Sequence, residues 1–184
     1  MQRPCFHLSI PARQVDVSAE WYERVLGCRP GRRSAVAAIL DLGGHQLVLQ
    51  HHSGNEDFPQ PGIYPRHFGL VFESLASWEA LRDRIAELGE PFRVAPKQRY
   101  PGEPLEHWTF FLQDPSHNWL EFKHYRQADA VLGCQQLAEV GDRDLRSLTL
   151  HGRSDRPAGQ VEPPSEFERS SDRPERSGDP GQPC

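Results

Sequence analysis

Three side chains in this 184-residue sequence have the type and placement to hold a metal ion: His7, His67 and Glu121. His7 lies in the alternating stretch Cys5-Phe6-His7-Leu8-Ser9-Ile10, where Phe6, Leu8 and Ile10 share one face and His7 and Ser9 the other. His67 opens a second such stretch, with Phe68, Leu70 and Phe72 in phase and His67 out of it. Glu121 belongs to a third, in which Leu120 and Phe122 share one face and Trp119, Glu121, Lys123 and Tyr125 the other. If a helix covers the apolar face of each sheet, the uncovered faces meet each other or a ligand, and two imidazoles and one carboxylate converge there. Two neutral His and one carboxylate with open positions suit Fe(II), Mn(II), Ni(II), Co(II) or Zn(II), and open positions admit substrate or O₂. A lone strand histidine, one of nine here, is ordinarily a packing or surface residue. These two are set apart by their spacing of 60 positions in matching contexts, and the glutamate by lying among apolar residues, where a bare carboxylate is costly.

The elements that must position them repeat. After the first strand, Asp16 or Ser18 can cap a helix striped by Val17, Trp21 and Val25, then Tyr22 and Leu26, with Gly27 ending it. Ala35 to Leu42 and His45 to His51 read as strands joined at Gly43-Gly44. A loop rich in Pro, Gly, Asn and Asp spans 52–65. The order then restarts: strand 66–72, a helix from Ser74 through Trp78 and Ile85 to Gly89, a short strand at Phe92 to Val94, and a polar loop from Pro96 to Leu105. The last strands are His107 to Gln113 and Asn118 to Tyr125, with Asp114-Pro115-Ser116 turning between them. The pattern predicts an α+β domain of two βαβββ modules, about 3–51 and 65–126, with helices outside.

Residues 127–184 differ. A short helix is expected near Gln135–Val140, but the stretch after Arg126 keeps one aromatic, Phe167, and carries seven Arg, no Lys and eleven acidic residues. Such a segment cannot offset its ordering entropy, so a mostly disordered hydrophilic tail is expected. The net charge of -5 then falls mainly on the tail, and the near-neutral first 126 residues lack the basic footprint of a nucleic-acid binder. No apolar run is long enough to span a membrane as a helix. Cys5, Cys28, Cys134 and Cys184 form no metal-knuckle or disulfide pattern. A cytoplasmic protein is expected, with no nucleic-acid or membrane partner.

The stretches FHLSI, WYERVLGCRPGRR, GGHQLVL, RHFGLVF and FFLQDPSHNWLEFKHY resemble the vicinal oxygen chelate superfamily, which includes glyoxalase I, extradiol dioxygenases, bleomycin-resistance proteins and fosfomycin-resistance transferases. The resemblance covers about residues 3–126. It implies paired βαβββ modules in a partly closed mixed β-barrel around a divalent metal, Fe(II) foremost, with modules paired within one chain or across a homodimer. It places metal ligands at His7, His67 and Glu121. Aligning GHQLVL with HNWLEF sets Val48 opposite Glu121, where glyoxalase I has a fourth ligand. Val cannot bind a metal, which argues for a three-ligand site; Gln50 shares its face.

The resemblance therefore points to dioxygenase-like chemistry on a small diol or oxygenated substrate, with a nearby His or Tyr handling protons. Tyr125, His107 and His51 are the catalytic candidates. A glyoxalase-like lyase or an epoxide-opening thiol transferase is the second reading, and a metal-free small-molecule binding protein the third. Lys97 and Arg99 read as solvated loop cations. Trp21 and Trp78 read as core.

Overall fold

The computed structural model describes residues 4–53, 60 and 62–141. The chain divides into a compact unit of residues 1–138 and a second unit of 139–184. Of the expected tail, 127–184, residues 142–184 lie outside the described residues.

The first module contains β1 (His7–Ala12), α1 (Val15–Leu26), β2 (Arg29–Arg33), β3 (Ala37–Leu42) and β4 (His45–His51). The second contains β5 (Phe68–Val71), α2 (Leu75–Glu87), β6 (Val94–Arg99), β7 (His107–Gln113) and β8 (Trp119–Tyr125). Each module makes one four-stranded mixed sheet, ordered β1-β4-β3-β2 and β5-β8-β7-β6. In both, the first strand pairs in parallel with the last, and the rest is antiparallel. The duplicated architecture is thus present. The two sheets are not closed into a barrel: among the described residues each strand pairs within its own module.

Local sequence accounts for most boundaries. Gly43 and Gly44 both take positive φ (61° and 88°), the pairing that a two-residue hairpin turn matching the strand twist requires. The Ser74 hydroxyl caps α2 by accepting from the Ser77 N–H at 3.1 Å. Gly27, at φ 69°, closes α1. Neither Asp16 nor Ser18 caps α1, which begins at Val15 with no side-chain cap. Ser18 is instead fully buried, its hydroxyl 3.0 Å from that of Ser116. β2 shows no apolar alternation and is exposed at all five positions. It is an edge strand held by β3 and by the ion pair of Arg33 with Glu23. A 3-10 turn at Ala128–Val131 replaces the expected helix near Gln135–Val140.

One apolar cluster joins the modules. α1 contributes Val15, Ala19, Trp21, Tyr22 and Val25, α2 contributes Trp78 and Ile85, and the sheets contribute Leu47, Leu49, Phe110, Leu120 and Phe122. Trp21 and Trp78 are core as expected, and the Trp78 indole donates to the Phe122 carbonyl at 2.9 Å. Polar ties cross the same seam. Tyr22 Oη donates to Asp114 Oδ2 at 3.0 Å, and Asn118 Nδ2 to the Pro11 carbonyl at 2.9 Å. Asp114 also accepts the Ser116 and Asn118 N–H groups, so one buried carboxylate fixes both the β7–β8 turn and the seam. Tyr22→Phe removes a donor from that carboxylate without opening a large cavity. It should cost about 1–2 kcal/mol in denaturant unfolding with little change in m-value.

Candidate functional site

Strand register assembles the site on the face of the second sheet away from the apolar cluster. Gly69 pairs with Glu121 across β5 and β8, and Phe111, Thr109 and His107 of β7 pair with Glu121, Lys123 and Tyr125. On the far side, Lys97 and Arg99 of β6 pair with Thr109 and His107. Paired residues share a face, so Glu121, Lys123, Tyr125, Thr109, His107 and Arg99 all belong to it. β6 extends through Arg99, which is only 8% exposed. Arg99 is thus a buried strand residue rather than the solvated loop cation the sequence suggested; the Pro-Lys-Gln-Arg run conceals the strand by lacking apolar alternation.

His67 and Glu121 meet, with Nε2 and Oε2 3.1 Å apart. Two donors each about 2.1 Å from one ion, at roughly a right angle, stand at such a separation. His67 Nδ1 lies 2.8 Å from the Ile63 carbonyl and so carries its proton there. That tautomer leaves the Nε2 lone pair for a ligand or a second proton. Burial alone would raise the Glu121 carboxyl. The hydrogen bond from His67 and the charge of Lys123 outweigh it, aided by the Lys123 and Thr109 hydrogen bonds, and hold it at about 2. Lys123 Nζ donates to the same Oε2 at 2.9 Å, and Thr109 Oγ1 donates to Oε1 at 2.8 Å. The hydrogen bond to Glu121 raises His67 in turn.

His7 lies elsewhere. It is exposed on the first sheet, with Nδ1 2.7 Å from Gln46 Oε1, so it takes the same tautomer as His67. Ser9 pairs with Val48 as Gly69 pairs with Glu121, which seats Val48 at the register position of the glutamate. Among the described residues, no group of three or more His, Cys, Asp or Glu stands close enough to hold a metal ion. One chain therefore offers one imidazole and one carboxylate that fit such an ion, short of a complete set.

Of the catalytic candidates, His107 and Tyr125 come together, with rings 4.8 Å apart. His107 Nδ1 faces the Leu105 carbonyl at 2.8 Å, while Nε2 is buried with no hydrogen-bond partner. Burial is the chief cause that lowers its pKa, so the ring is neutral and Nε2 is a vacant acceptor. His51 is exposed at the end of β4, in the other module. Gln50 donates to the Val36 carbonyl. Burial pushes the Cys28 thiol up to about 12, which removes it as a nucleophile. The Thr109 and Lys123 contacts escaped sequence reasoning. Lys123 was in phase with Glu121, but only the twist and pleat of the folded sheet show it turned onto the carboxylate.

The sequence over residues 5–122 matches the model of the Glyoxalase/Bleomycin resistance protein/Dioxygenase superfamily, and the chain belongs to that superfamily. Its fold is similar to that of a glyoxalase/bleomycin resistance protein/dioxygenase from Alicyclobacillus acidocaldarius. That match has 38% identity over 69% of this chain and 95% of that one, with a TM-score of 0.63. Two more distant structures share the fold. One is lactoylglutathione lyase from Agrobacterium tumefaciens, at 15% identity, TM-score 0.51, and coverage of 67% and 94%. The other is the fosfomycin resistance protein FosX from Listeria monocytogenes, at 13% identity, TM-score 0.54, and coverage of 71% and 99%. Among the described residues no helix is long and apolar enough to cross a membrane.

Proposed function

We propose that the chain is a metal-dependent enzyme of the extradiol dioxygenase type, acting in the cytoplasm on a small diol or oxygenated substrate as a homodimer. The ion would be held by His67 and Glu121 of one copy and His7 of a second, Fe(II) being the favoured metal. The observation that carries this reading is the convergence of His67 Nε2 and Glu121 Oε2, each oriented by a further bond, to the Ile63 carbonyl and from the Thr109 hydroxyl. When bound there, a divalent ion supplies Lewis acidity and open positions for small ligands.

The chain's own residues do the rest. The Ile63 carbonyl holds His67 in the ligating tautomer, and Thr109 fixes the rotamer of Glu121. His107 Nε2, neutral and buried, accepts the proton of a substrate hydroxyl, and the Tyr125 ring against it limits its rotation. Val48 in place of a fourth ligand weighs against a glyoxalase-like lyase. A metal-free binding protein is the second reading, favoured by Lys123 already neutralising Glu121.

The test is metal analysis of the purified protein, followed by oxygen uptake with catechols. We expect close to one ion per chain, uptake with at least one diol, and loss of both in His67→Ala. A metal-free wild-type chain whose small-molecule affinity survives His67→Ala would establish the second reading instead.

A further inference from the structure

The site holds a cation before any metal arrives. Lys123 Nζ and His67 Nε2 share one oxygen of Glu121, and the Lys123 side chain is only 23% exposed. An ion seated between His67 and Glu121 uses that same oxygen. The ammonium then loses its counter-charge while staying largely out of water, an arrangement too costly to persist unpaired. A second vacancy lies nearby. His107 Nε2 is buried, more than nine-tenths of the residue is out of solvent, and the atom accepts from nothing. Lys123 pairs with Thr109, and His107 is the next residue along β7 on the same face. The two side chains are therefore diagonal neighbours, with roots roughly 5–8 Å apart.

We propose that Lys123 is the substrate-anion anchor of this site, and that the ligand is a small hydroxylated acid. Its ionised group rests on Lys123 Nζ and its hydroxyl donates to His107 Nε2. Lys123 leaves Glu121 for the ligand when the carboxylate is claimed by the ion, so one side chain serves two counter-charges in turn. This assignment rests on the metal-site reading above for the exchange. The anchor itself can be tested without metal, because neutralising Glu121 by mutation should release the ammonium equally well.

The probe is 3-hydroxybenzoate, with benzoate and phenol as single-group controls, titrated calorimetrically into metal-free protein. Glu121→Gln should bind 3-hydroxybenzoate about tenfold more tightly than metal-free wild type, as expected for one released charge-assisted hydrogen bond. Adding Lys123→Met should erase that gain, whereas adding Lys97→Met, an exposed neighbour on β6, should not. His107→Phe in the Glu121→Gln background should remove the preference over benzoate while keeping the preference over phenol. If Glu121→Gln gains nothing, or if the double variant with Lys123→Met binds as tightly as Glu121→Gln, the anchor is overturned whatever the metal content. Should Glu121→Gln not fold, Lys123→Met alone decides: the metal-loaded chain must then bind the acid no better than phenol, and retained discrimination refutes the proposal. The expected anion pattern in a wild-type protein that takes up no metal would sink the metal reading and leave the anchor standing.

Discussion

Mixing a His7→Ala chain with a Glu121→Ala chain should restore metal to about a quarter of the sites, although each variant alone should hold almost none. Loss of a direct ligand should weaken binding by more than about 100-fold, beyond the effect of losing an orienting partner. The restoration follows from where the residues stand. His67, just before β5, meets Glu121 of β8, His7 lies exposed on the other sheet, and among the described residues of one chain no cluster of three ligands forms. If a second copy completes the set, each site takes His7 from one chain and the other two ligands from its neighbour. A mixed dimer then carries one intact site and one lacking two ligands, and random exchange makes about half of the dimers mixed. Metal analysis after exchange through mild denaturant reads the result. Retention of metal by His7→Ala alone, or no recovery in a sample shown by mass spectrometry to contain mixed dimers, would refute shared ligation.

Gly69→Ala should be the most damaging single-methyl change in the second module. A Cβ at residue 69 would stand 1.7 Å from the Glu121 carbonyl oxygen and 2.7 Å from its carbon. Both are backbone atoms of the paired strand, so no rotamer change relieves the overlap. β5 has only four residues and must separate from β8 to make room. The expected loss is about 3 kcal/mol or more in denaturant unfolding. Because Gly69 is the register partner of Glu121, the survivors should also lose the His67–Glu121 contact and any metal affinity. Stability within about 0.5 kcal/mol of wild type would show that the strands can part cheaply, against this expectation. The first module places Ser9 at the corresponding position, opposite Val48, so the close approach belongs to the second module alone.

What the sequence disclosed follows what periodicity can encode. The strands at β1, β4, β7 and β8 alternate or run apolar, and the hairpin and helix ends carry Gly43-Gly44, Gly27 and Ser74, whose backbone or capping demands are local. Those elements formed at or near the expected positions. β2 and most of β6 did not announce themselves, because Arg-Pro-Gly-Arg-Arg and Pro-Lys-Gln-Arg owe their strand conformation to a neighbour's hydrogen-bonding edge and not to burial of alternate side chains. The site divides along the same line. Side-chain phase put His67, Glu121, Lys123 and Tyr125 on one face; the register keeps the last three together, and His67, just before β5, reaches Glu121. Phase says nothing of which module's face meets which, so the expectation that His7 converges with the other two had no footing in it, and the described residues of one chain show no such convergence. Nor does it give side-chain contacts, whether across strands, as from Thr109, or along one strand, as from Lys123, on the carboxylate.

Two of the four edge strands, β2 and β6, have a further consequence. β2 carries Pro30 among three arginines with every residue exposed, and β6 carries Pro96 beside Lys97. A proline offers no amide hydrogen to an incoming chain, and a row of cations repels its own copy. Neither rim is a good template for fibril growth.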